Sequence, residues 1–271
     1  MNKAYTTVLT IAGSDSSGGA GIQADIKTFA ALECFGLSVI TALTAQNSTG
    51  VNAIYPLDET CIREQFRSIS MDIAIDAVKI GMLGSAAAIK TVSALLRELK
   101  GNPPVILDTV LASTGGTPLL PPDAIPLMKK EIFPLASLIT PNLPEAALLT
   151  GMKHPPGTQK AIESAATHLL ETGTAAVLVK GGHRDGNECR DCLLYDNRFF
   201  WYSSAKIMTG NTHGTGCTLS SAIAAFMARG ETTDSAVAKA KVYIDDALQA
   251  GASYRFGNGN GPLHHFHRFW L

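Results

Sequence analysis

A glycine-rich segment in the last third of the chain has the residues to bind an anion. Asn211–Phe226 reads NTHGTGCTLSSAIAAF, in which Gly214, Thr215, Gly216 and Cys217 lead directly into an apolar helix. The first amides of a helix have no partner within it, and the helix dipole adds partial positive charge there. We therefore predict an anion hole, with an ordinary glycine-rich helix start as the alternative. It is not a Walker A loop, because no Gly-Lys-Ser/Thr follows.

One cysteine stands at that helix start. A thiolate in the first turn of a helix is stabilised, so we expect a lowered pKa and reactivity at Cys217. Cys34 and Cys61 are expected to be inert packing residues. Cys189 and Cys192 have the spacing of metal ligands, but no second such pair accompanies them, which disfavours a zinc site. An odd number of cysteines in a long chain favours reduced thiols and a cytoplasmic protein.

A second glycine cluster, GSDSSGGAGIQAD, covers Gly13–Asp25. It contains a G-x-G-x-x-A pattern like that of dinucleotide-binding loops. The next apolar run, LSVITALTAQNS, has no acidic residue to bind a ribose, and the loop from Gly13 to Gly19 is too long for the tight turn of that motif. We therefore favour a loop whose backbone a small ligand can approach closely.

The end of the chain, GPLHHFHRFWL, contains His264, His265 and His267 among aromatic residues. A metal site needs convergent, oriented ligands, and histidines that alternate with aromatic residues at a chain end more often pack. We predict packing of this tail.

Composition excludes several classes of protein. Apolar residues make up 46% and charged residues 17% of the 271, and the mean hydropathy is +0.14. A large core is therefore expected, and disorder is excluded. The formal net charge of −1 gives no sign of nucleic acid or an anionic membrane as a partner. Two uncharged stretches, Phe35–Leu57 and Ile207–Ala228, are broken by polar and glycine runs, so we expect neither to span a membrane.

Short apolar runs alternate with helical segments along residues 1–271, which we interpret as one α/β domain. The predicted strands are Thr7–Ala12, Leu37–Leu43, Ala77–Ile80, Pro104–Asp108, Ser137–Thr140 and Ala175–Lys180. The predicted helices are Ile22–Cys34, Ile62–Met71, Ala86–Leu99, Ala161–Glu171, Thr218–Arg229 and Asp234–Ala250. A hairpin is predicted from Cys192–Tyr195 and Arg198–Tyr202. Continuous apolar strands joined by helices predict a mostly parallel sheet between helical layers.

Polar or unusual residues stand where these strands end. They are Gly13-Ser14-Asp15, Gln46-Asn47, Met82, Asp108, Asn142 and Lys180-Gly181-Gly182. Ligands of such folds bind beyond the carboxyl ends of the strands. A polar residue often ends a buried strand, but so many together indicate a site.

Seven segments in order carry a family resemblance. They are Gly13–Asp25, Ala45–Asn47, Lys79–Leu83, Leu107–Val110, Thr140–Glu145, Lys180–His183 and Asn211–Thr218. Together they resemble the hydroxymethylpyrimidine/phosphomethylpyrimidine kinases of the ribokinase superfamily, over nearly the whole chain.

The resemblance implies a three-layer α/β/α sandwich of the ribokinase-like type. It also implies an enzyme of thiamine biosynthesis that uses ATP twice, first on 4-amino-5-hydroxymethyl-2-methylpyrimidine and then on its monophosphate. Some pyridoxal kinases resemble this branch, so pyridoxal or pyridoxine phosphorylation is the alternative. Sugar kinases of the superfamily have an aspartate base where this chain has Cys217, which argues against a sugar substrate. Relatives are commonly dimers, so a homodimer is expected.

The resemblance also assigns a substrate pocket. Gln46 would recognise the pyrimidine, because an amide offers a donor and an acceptor to the ring nitrogen and the amino group. Asp25, Gly13 and Ala20 would complete the pocket, and Met82 would pack against the ring.

Phosphate and metal residues follow from the same match. Asn142 and Glu145 would order Mg²⁺ and its waters, with Asp108 near the phosphate path. Lys180 would neutralise phosphate charge and Cys217 would be catalytic. Gly214, Thr215 and Gly216 would hold phosphate.

Overall fold

The structure is a computed structural model that describes residues 4–113, 115–182 and 187–270. Its strands are β1 Thr7–Asp15, β2 Phe35–Asn47, β3 Gly50–Pro56, β4 Ala77–Ile80, β5 Val105–Leu107, β6 Leu138–Ile139, β7 Val177–Val179, β8 Glu188–Tyr195 and β9 Arg198–Ala205. Its helices are α1 Gly21–Ala31, α2 Glu59–Ser70, α3 Ala86–Glu98, α4 Ile125–Glu131, α5 Leu143–Thr150, α6 Gln159–Leu170, α7 Thr215–Ala228 and α8 Thr233–Gly251.

These strands form one sheet in the order β3-β2-β1-β4-β5-β6-β7-β8-β9. The six central strands are parallel, and β3, β8 and β9 pair antiparallel at the two edges. Alternate residues of β1 enter different cores: Leu9 packs with α2 to α6, whereas Val8 packs with α1, α7 and α8. The prediction of a mostly parallel sheet between two helical layers is confirmed.

The strand order reverses between β1 and β4. The connection from β1 runs through α1 on one face to β2, whereas β4 continues through α3 on the other face to β5. Such a switch point leaves a crevice beyond the carboxyl ends of the two strands. The carboxyl end of β1 carries Gly13, and the residue two positions after β4 is Met82.

Sequence reasoning missed β3, α4 and α5. The edge strand β3 buries none of its seven residues, so it has no apolar run to reveal it. The helices α4 and α5 have only seven and eight residues. The predicted hairpin is confirmed: Asp196 and Asn197 join β8 to β9 with φ of 50° and 55°, as a two-residue hairpin turn requires.

The histidine-rich tail packs, as predicted. His265 is buried and its Nε2 lies 3.0 Å from the Thr218 hydroxyl. Burial lowers the pKa of His265 to about 3. The His264 ring makes an edge contact with Trp270, and His267 packs against Tyr243.

The side chains of Cys189 and Cys192 do not point toward a common metal site. Cys192 is in the core on β8, and the odd spacing turns Cys189 toward the opposite face of the strand. Within the described ranges, no helix is long and apolar enough to cross a membrane.

Candidate active site

A cavity of about 610 Å³ lies at the carboxyl edge of the sheet, at the switch point. Twelve of the thirteen residues predicted from the sequence line it: Gly13, Ala20, Gln46, Met82, Asp108, Asn142, Glu145, Lys180, Gly214, Thr215, Gly216 and Cys217. They come from the seven separate segments of the chain that carry the family resemblance. The shared edge of parallel strands brings them together, as the strand-end pattern predicted.

At one end of the cavity stands the first turn of α7. Gly214 caps this helix with φ of 82°, and a Cβ there would come within 1.8 Å of the Gly19 carbonyl oxygen. Only glycine fits, because the conformation is left-handed and the neighbouring backbone is too close. Gly214 and the first three residues of the 14-residue helix line the cavity, and the first amides of a helix have no acceptor within it.

A buried ion pair stands beside that turn. Lys180 Nζ lies 2.7 Å from Asp108 Oδ1. A Cβ on Gly216 would lie 3.4 Å from both Lys180 Nζ and Asp108 Oδ2. Burial alone would lower the pKa of Lys180, but Asp108 and Glu145 outweigh it and raise the pKa. The lysine is therefore a fixed cation at the anion-binding end.

Asp108 lines the cavity beside Lys180. Burial would raise its pKa, but Lys180 and Lys79 lower it, so the group is an anion. Thr140 donates a further hydrogen bond at 3.2 Å. A carboxylate has no proton to donate to phosphate. Asp108 therefore holds Lys180 in place, and its part in the phosphate path stays a prediction.

The N-x-x-E motif forms a helix start. Asn142 Oδ1 accepts the Glu145 backbone N–H at 2.9 Å, and Glu145 Oε2 accepts the Asn142 N–H at 2.9 Å, which is a capping box for α5. Thr109 donates to the same carboxylate at 3.1 Å. Burial raises the pKa of Glu145, against the opposing effect of Lys180. Both motif residues line the cavity while they serve this structural role.

A neighbouring part of the cavity, around Gln46, is lined by an amide and by apolar groups. Gln46 ends β2, and its backbone is held by Ser16, whose hydroxyl donates to the Gln46 carbonyl at 2.7 Å and accepts its N–H at 3.0 Å. Met82 is almost fully buried, and a Cβ on Gly13 would come within 3.1 Å of its sulfur. The Ala20 N–H donates to Asp15 at 2.8 Å. A flat ring would find an amide edge and an apolar wall here.

The expected lowering of the Cys217 pKa is wrong. Its place in the first turn of α7 is confirmed, and the Gly21 N–H and Lys79 both favour the thiolate. Burial outweighs them and raises the pKa of the thiol to about 11. The rule for helix starts fails here because the thiol is also removed from water.

Asp25 is the one predicted residue that does not line the cavity. Its carboxylate is fully buried and pairs with Lys79 Nζ at 2.9 Å from both oxygens. Thr10 and Ser221 also donate to it, at 2.6 and 2.7 Å. With these bonds made, Asp25 fixes Lys79, which does line the cavity.

Comparison with known proteins identifies the family. The family model for phosphomethylpyrimidine kinase matches residues 15–264. The chain belongs to the phosphomethylpyrimidine kinase family. It is 44% identical over 262 residues to the hydroxymethylpyrimidine/phosphomethylpyrimidine kinase of Escherichia coli K12, covering 97% of this chain and 98% of the relative.

Solved structures related to the family have the same ribokinase-like fold. The phosphomethylpyrimidine kinase of Clostridium difficile 630 superimposes with a TM-score of 0.78 at 42% identity, covering 89% of this chain and 99% of its own. The pyridoxal kinase of Bacillus subtilis, solved as an ADP complex, gives 0.88 at 35% identity, covering 97% and 98%.

Sequence reasoning assigned no role to three residues of the cavity lining. They are Asp15, Lys79 and His213, all of which line the cavity. Each lies within a motif already noted, and that was the available signal. Their roles depend on contacts between distant segments: Asp15 and His213 are 198 positions apart. His183, the last residue of the KGGH segment, lies outside the described residues.

Proposed function

We propose that the chain phosphorylates 4-amino-5-hydroxymethyl-2-methylpyrimidine with ATP and then phosphorylates the monophosphate to the diphosphate. The observation that carries the proposal is a single cavity with an amide edge, at Gln46, and an anion hole with a fixed cation, at Gly214–Cys217 and Lys180. The 44% identity to kinases named for this substrate supports it.

In the first step the substrate hydroxyl attacks the γ-phosphorus of ATP, and the bond to the ADP oxygen breaks. Lys180 and the α7 amides stabilise the charge on the phosphoryl oxygens during transfer. The hydroxyl must lose a proton, and Cys217 is the base we assign to receive it. With a thiol pKa of about 11, only the small thiolate fraction can act at neutral pH.

In the second step the attacking group is a phosphate monoester. It is largely ionised at neutral pH, because its second pKa is about 6. No base is needed for this attack. The requirement is to hold two anionic groups close together, and Lys180 with the α7 amides supplies the positive charge.

Magnesium is part of the proposal, because Asn142, Glu145 and Asp108 offer the oxygen ligands it prefers. Asn142 and Glu145 already accept protein hydrogen bonds, and Lys180 occupies one oxygen of Asp108. These oxygens fit an ion that keeps several waters and is held through them. The bound ion would supply positive charge to the phosphates.

Pyridoxal phosphorylation is the second candidate, favoured by the TM-score of 0.88 to a pyridoxal kinase. The amide edge at Gln46 argues for the pyrimidine as the better substrate. In an aminopyrimidine the amine and a ring nitrogen are adjacent, so one amide can pair with both. In pyridoxal two carbons separate the ring nitrogen from the hydroxyl oxygen, against one carbon between the two nitrogens of the aminopyrimidine, so the pyridoxal groups cannot share an amide in that way.

Turnover with purified protein, ATP and Mg²⁺ tests the proposal. We expect the aminopyrimidine alcohol and its monophosphate to be phosphorylated, with a lower kcat/KM for pyridoxal. Ligand binding without ADP release would contradict a kinase, and a higher kcat/KM for pyridoxal would favour the second candidate. A homodimer in the cytoplasm completes the proposal, and light scattering in solution checks the dimer.

A further inference from the structure

The contacts around Gln46 form a chain of side chains that the proposed reaction has not used. Gln46 Nε2 lies 3.3 Å from His213 Nε2, and Gln46 Oε1 lies 3.2 Å from Thr44 Oγ1. His213 Nε2 also lies 2.8 Å from Asp15 Oδ2, and Thr44 Oγ1 lies 2.9 Å from the Ser14 carbonyl oxygen. These neighbours carry few polar hydrogens, so the donors and acceptors around Gln46 can be assigned.

His213 is held rigidly. Its side chain is largely buried, its backbone N–H donates to the Gly261 carbonyl at 3.0 Å, and a Cβ on Gly19 would come within 2.3 Å of its ring. Asp15 accepts bonds from the Gly19 and Ala20 amides as well. Burial would raise the pKa of Asp15, but its bonds from His213, Ser17 and Ala20 lower it to about 2.

Because Asp15 is ionised, the proton of the His213–Asp15 bond is on His213 Nε2. That nitrogen therefore has no lone pair, and its other neighbour Gln46 meets only the same N–H, which Asp15 and Gln46 share. Thr44 has one hydroxyl proton, which it donates to the Ser14 carbonyl. Its oxygen therefore presents lone pairs to Gln46.

Two neighbours now select the same orientation of the amide. The nitrogen and oxygen of a primary amide are distinguished by the bonds they make. A 180° turn of the Gln46 amide sets its oxygen against the His213 N–H and its NH₂ against the Thr44 oxygen. That orientation satisfies both contacts, whereas the opposite one sets donor against donor and acceptor against acceptor.

We propose that His213, held by Asp15, and Thr44 are positioning residues that fix the Gln46 amide and thereby the direction of the bound ring. The inference rests on the proposed function. In the selected orientation the free lone pair of Gln46 is on the His213 side, and the free N–H is on the Thr44 side. The exocyclic amine of the aminopyrimidine then faces His213, and its ring nitrogen faces Thr44.

This direction suits phosphoryl transfer. The hydroxymethyl group is on the ring carbon next to the one that carries the amine, so it lies on the His213 side. His213 directly precedes Gly214, where the anion hole begins. A ring turned the other way would direct the hydroxymethyl group away from α7. The order of donor and acceptor at Gln46 thus selects the productive pose.

The tautomer of His213 is the first test. In protein labelled with ¹⁵N-histidine, the signals that disappear in His213→Gln belong to this residue. We expect the Nε2-protonated tautomer in the free enzyme near neutral pH. A proton on Nδ1 with a bare Nε2 would overturn the proposal. The tautomer is measured without substrate. Failure of this proposal is therefore distinguishable from failure of the proposed function, which would appear as no turnover by the wild type.

Kinetics of two variants are the second test. Thr44→Val keeps the shape of the side chain but removes the lone pairs, and His213→Leu removes the N–H. We expect KM for the aminopyrimidine alcohol to rise at least fivefold in each, with kcat/KM for pyridoxal and KM for ATP within twofold. His213→Gln keeps an N–H for Asp15 and another for Gln46, so it should recover most of the loss.

Thr174→Val and His265→Gln are the matched controls, because both residues are buried and hydrogen bonded outside the cavity lining. We expect stability to fall in these variants without a change in the ratio of kcat/KM between the two substrates. If Thr44→Val lowers kcat/KM equally for both substrates, the side chain is merely structural and the proposal is wrong. Thr44→Val keeps the test open should His213→Leu fail to fold.

Discussion

The two parts of the cavity, at the start of α7 and around Gln46, bind ligands by different interactions. At the α7 end, Lys180 is a buried cation between Asp108 and Glu145, and the helix amides add positive charge. At the β2 end, Gln46 presents a neutral amide, and Met82 closes an apolar wall. Charge acts on any phosphoryl group that enters, whereas an amide edge depends on which atom is donor and which is acceptor.

The difference separates catalysis from selection. Electrostatic stabilisation in a dry site acts on the transition state and should appear in kcat. Hydrogen bonds to the ring are present both in the ground state and in the transition state, so they should appear in KM. Substitutions near α7 should therefore change kcat, and substitutions around Gln46 should change KM, which kinetic measurements can test.

The largest effect is expected at Lys180. Lys180→Met removes the cation from the transferring phosphoryl group, and loss of one such donor typically lowers kcat by about 10²–10³-fold. We expect that loss for the alcohol and the monophosphate alike, with KM for the alcohol within threefold. The buried Asp108 also loses its partner, which costs about 3–5 kcal/mol of unfolding free energy. Steady-state kinetics and urea unfolding measure the two effects.

Lys129→Met is the matched control, because Lys129 donates to the Leu149 carbonyl on α5, away from the cavity. It should leave kcat unchanged. A Lys180→Met enzyme that keeps its kcat but loses affinity for the alcohol would reverse the assignment of the two ends.

The second largest effect separates the two phosphorylations. Cys217→Ser removes the base that we assign to the first step, and a base is typically worth about 10²–10⁴-fold. We expect the first step to slow by about 10²-fold and the second to change little, because its nucleophile is already ionised. The backbone amides of α7 remain in the variant. Single-turnover rates from the alcohol and from the monophosphate make the comparison.

The pH dependence sharpens this test. Since burial raises the pKa of Cys217 to about 11, the thiolate fraction grows about tenfold per pH unit below that value. The wild-type first step should therefore accelerate as pH rises from about 7 to 9, and Cys217→Ser should lose that slope. Equal slowing of both steps would instead make Cys217 a structural part of the anion hole.

The third effect tests the neutral end. Gln46→Leu leaves the ring nitrogen and amine without partners, at about 1–3 kcal/mol each. We expect KM for the pyrimidine to rise tenfold or more, with KM for ATP unchanged. Gln65→Leu is the control, because Gln65 bonds the backbone of Ile40 on the same strand without lining the cavity. An equal loss of ATP affinity in Gln46→Leu would exclude a substrate-specific contact.

The sequence predicts those parts of the site that depend on local patterns, and it does not predict contacts between distant segments. Gln46 and Lys180 were found because apolar runs reveal strands, and parallel strands share one carboxyl edge. The bond between His213 and Asp15 was not predictable, because it joins the end of β1 to a residue 198 positions away. The contact of Asp25 with Lys79 was not predictable either, because it joins α1 to β4, 54 positions apart.

Cys217 shows a second limit. The sequence predicted its position in the first turn of α7, and the structure confirms that position. Its pKa depends on how much water reaches the thiol, and packing decides this only after the whole chain has folded. Local rules therefore predicted geometry better than they predicted ionisation.

The smallest effect is expected at Glu145, where a structural and a functional role coincide. If Glu145 holds Mg²⁺ through waters, Glu145→Gln should raise the Mg²⁺ concentration for half-maximal rate about tenfold. Glutamine can still accept the Asn142 N–H, so the start of α5 should persist. Glu163→Gln, on α6, is the carboxylate control.

Stability gives an independent measure of the same residue. The folded-state pKa of Glu145 is raised above 4.5, so the folded protein binds this proton more tightly than the unfolded chain does. Its contribution to stability is therefore present at low pH and is lost as pH rises above 4.5 through the folded value. Glu145→Gln cannot ionise, so without Mg²⁺ it should lose less stability than the wild type between acid and neutral pH. Thermal unfolding across that range checks this. A variant with unchanged Mg²⁺ dependence but a flattened pH profile would leave Glu145 as a helix cap and remove it from the metal site.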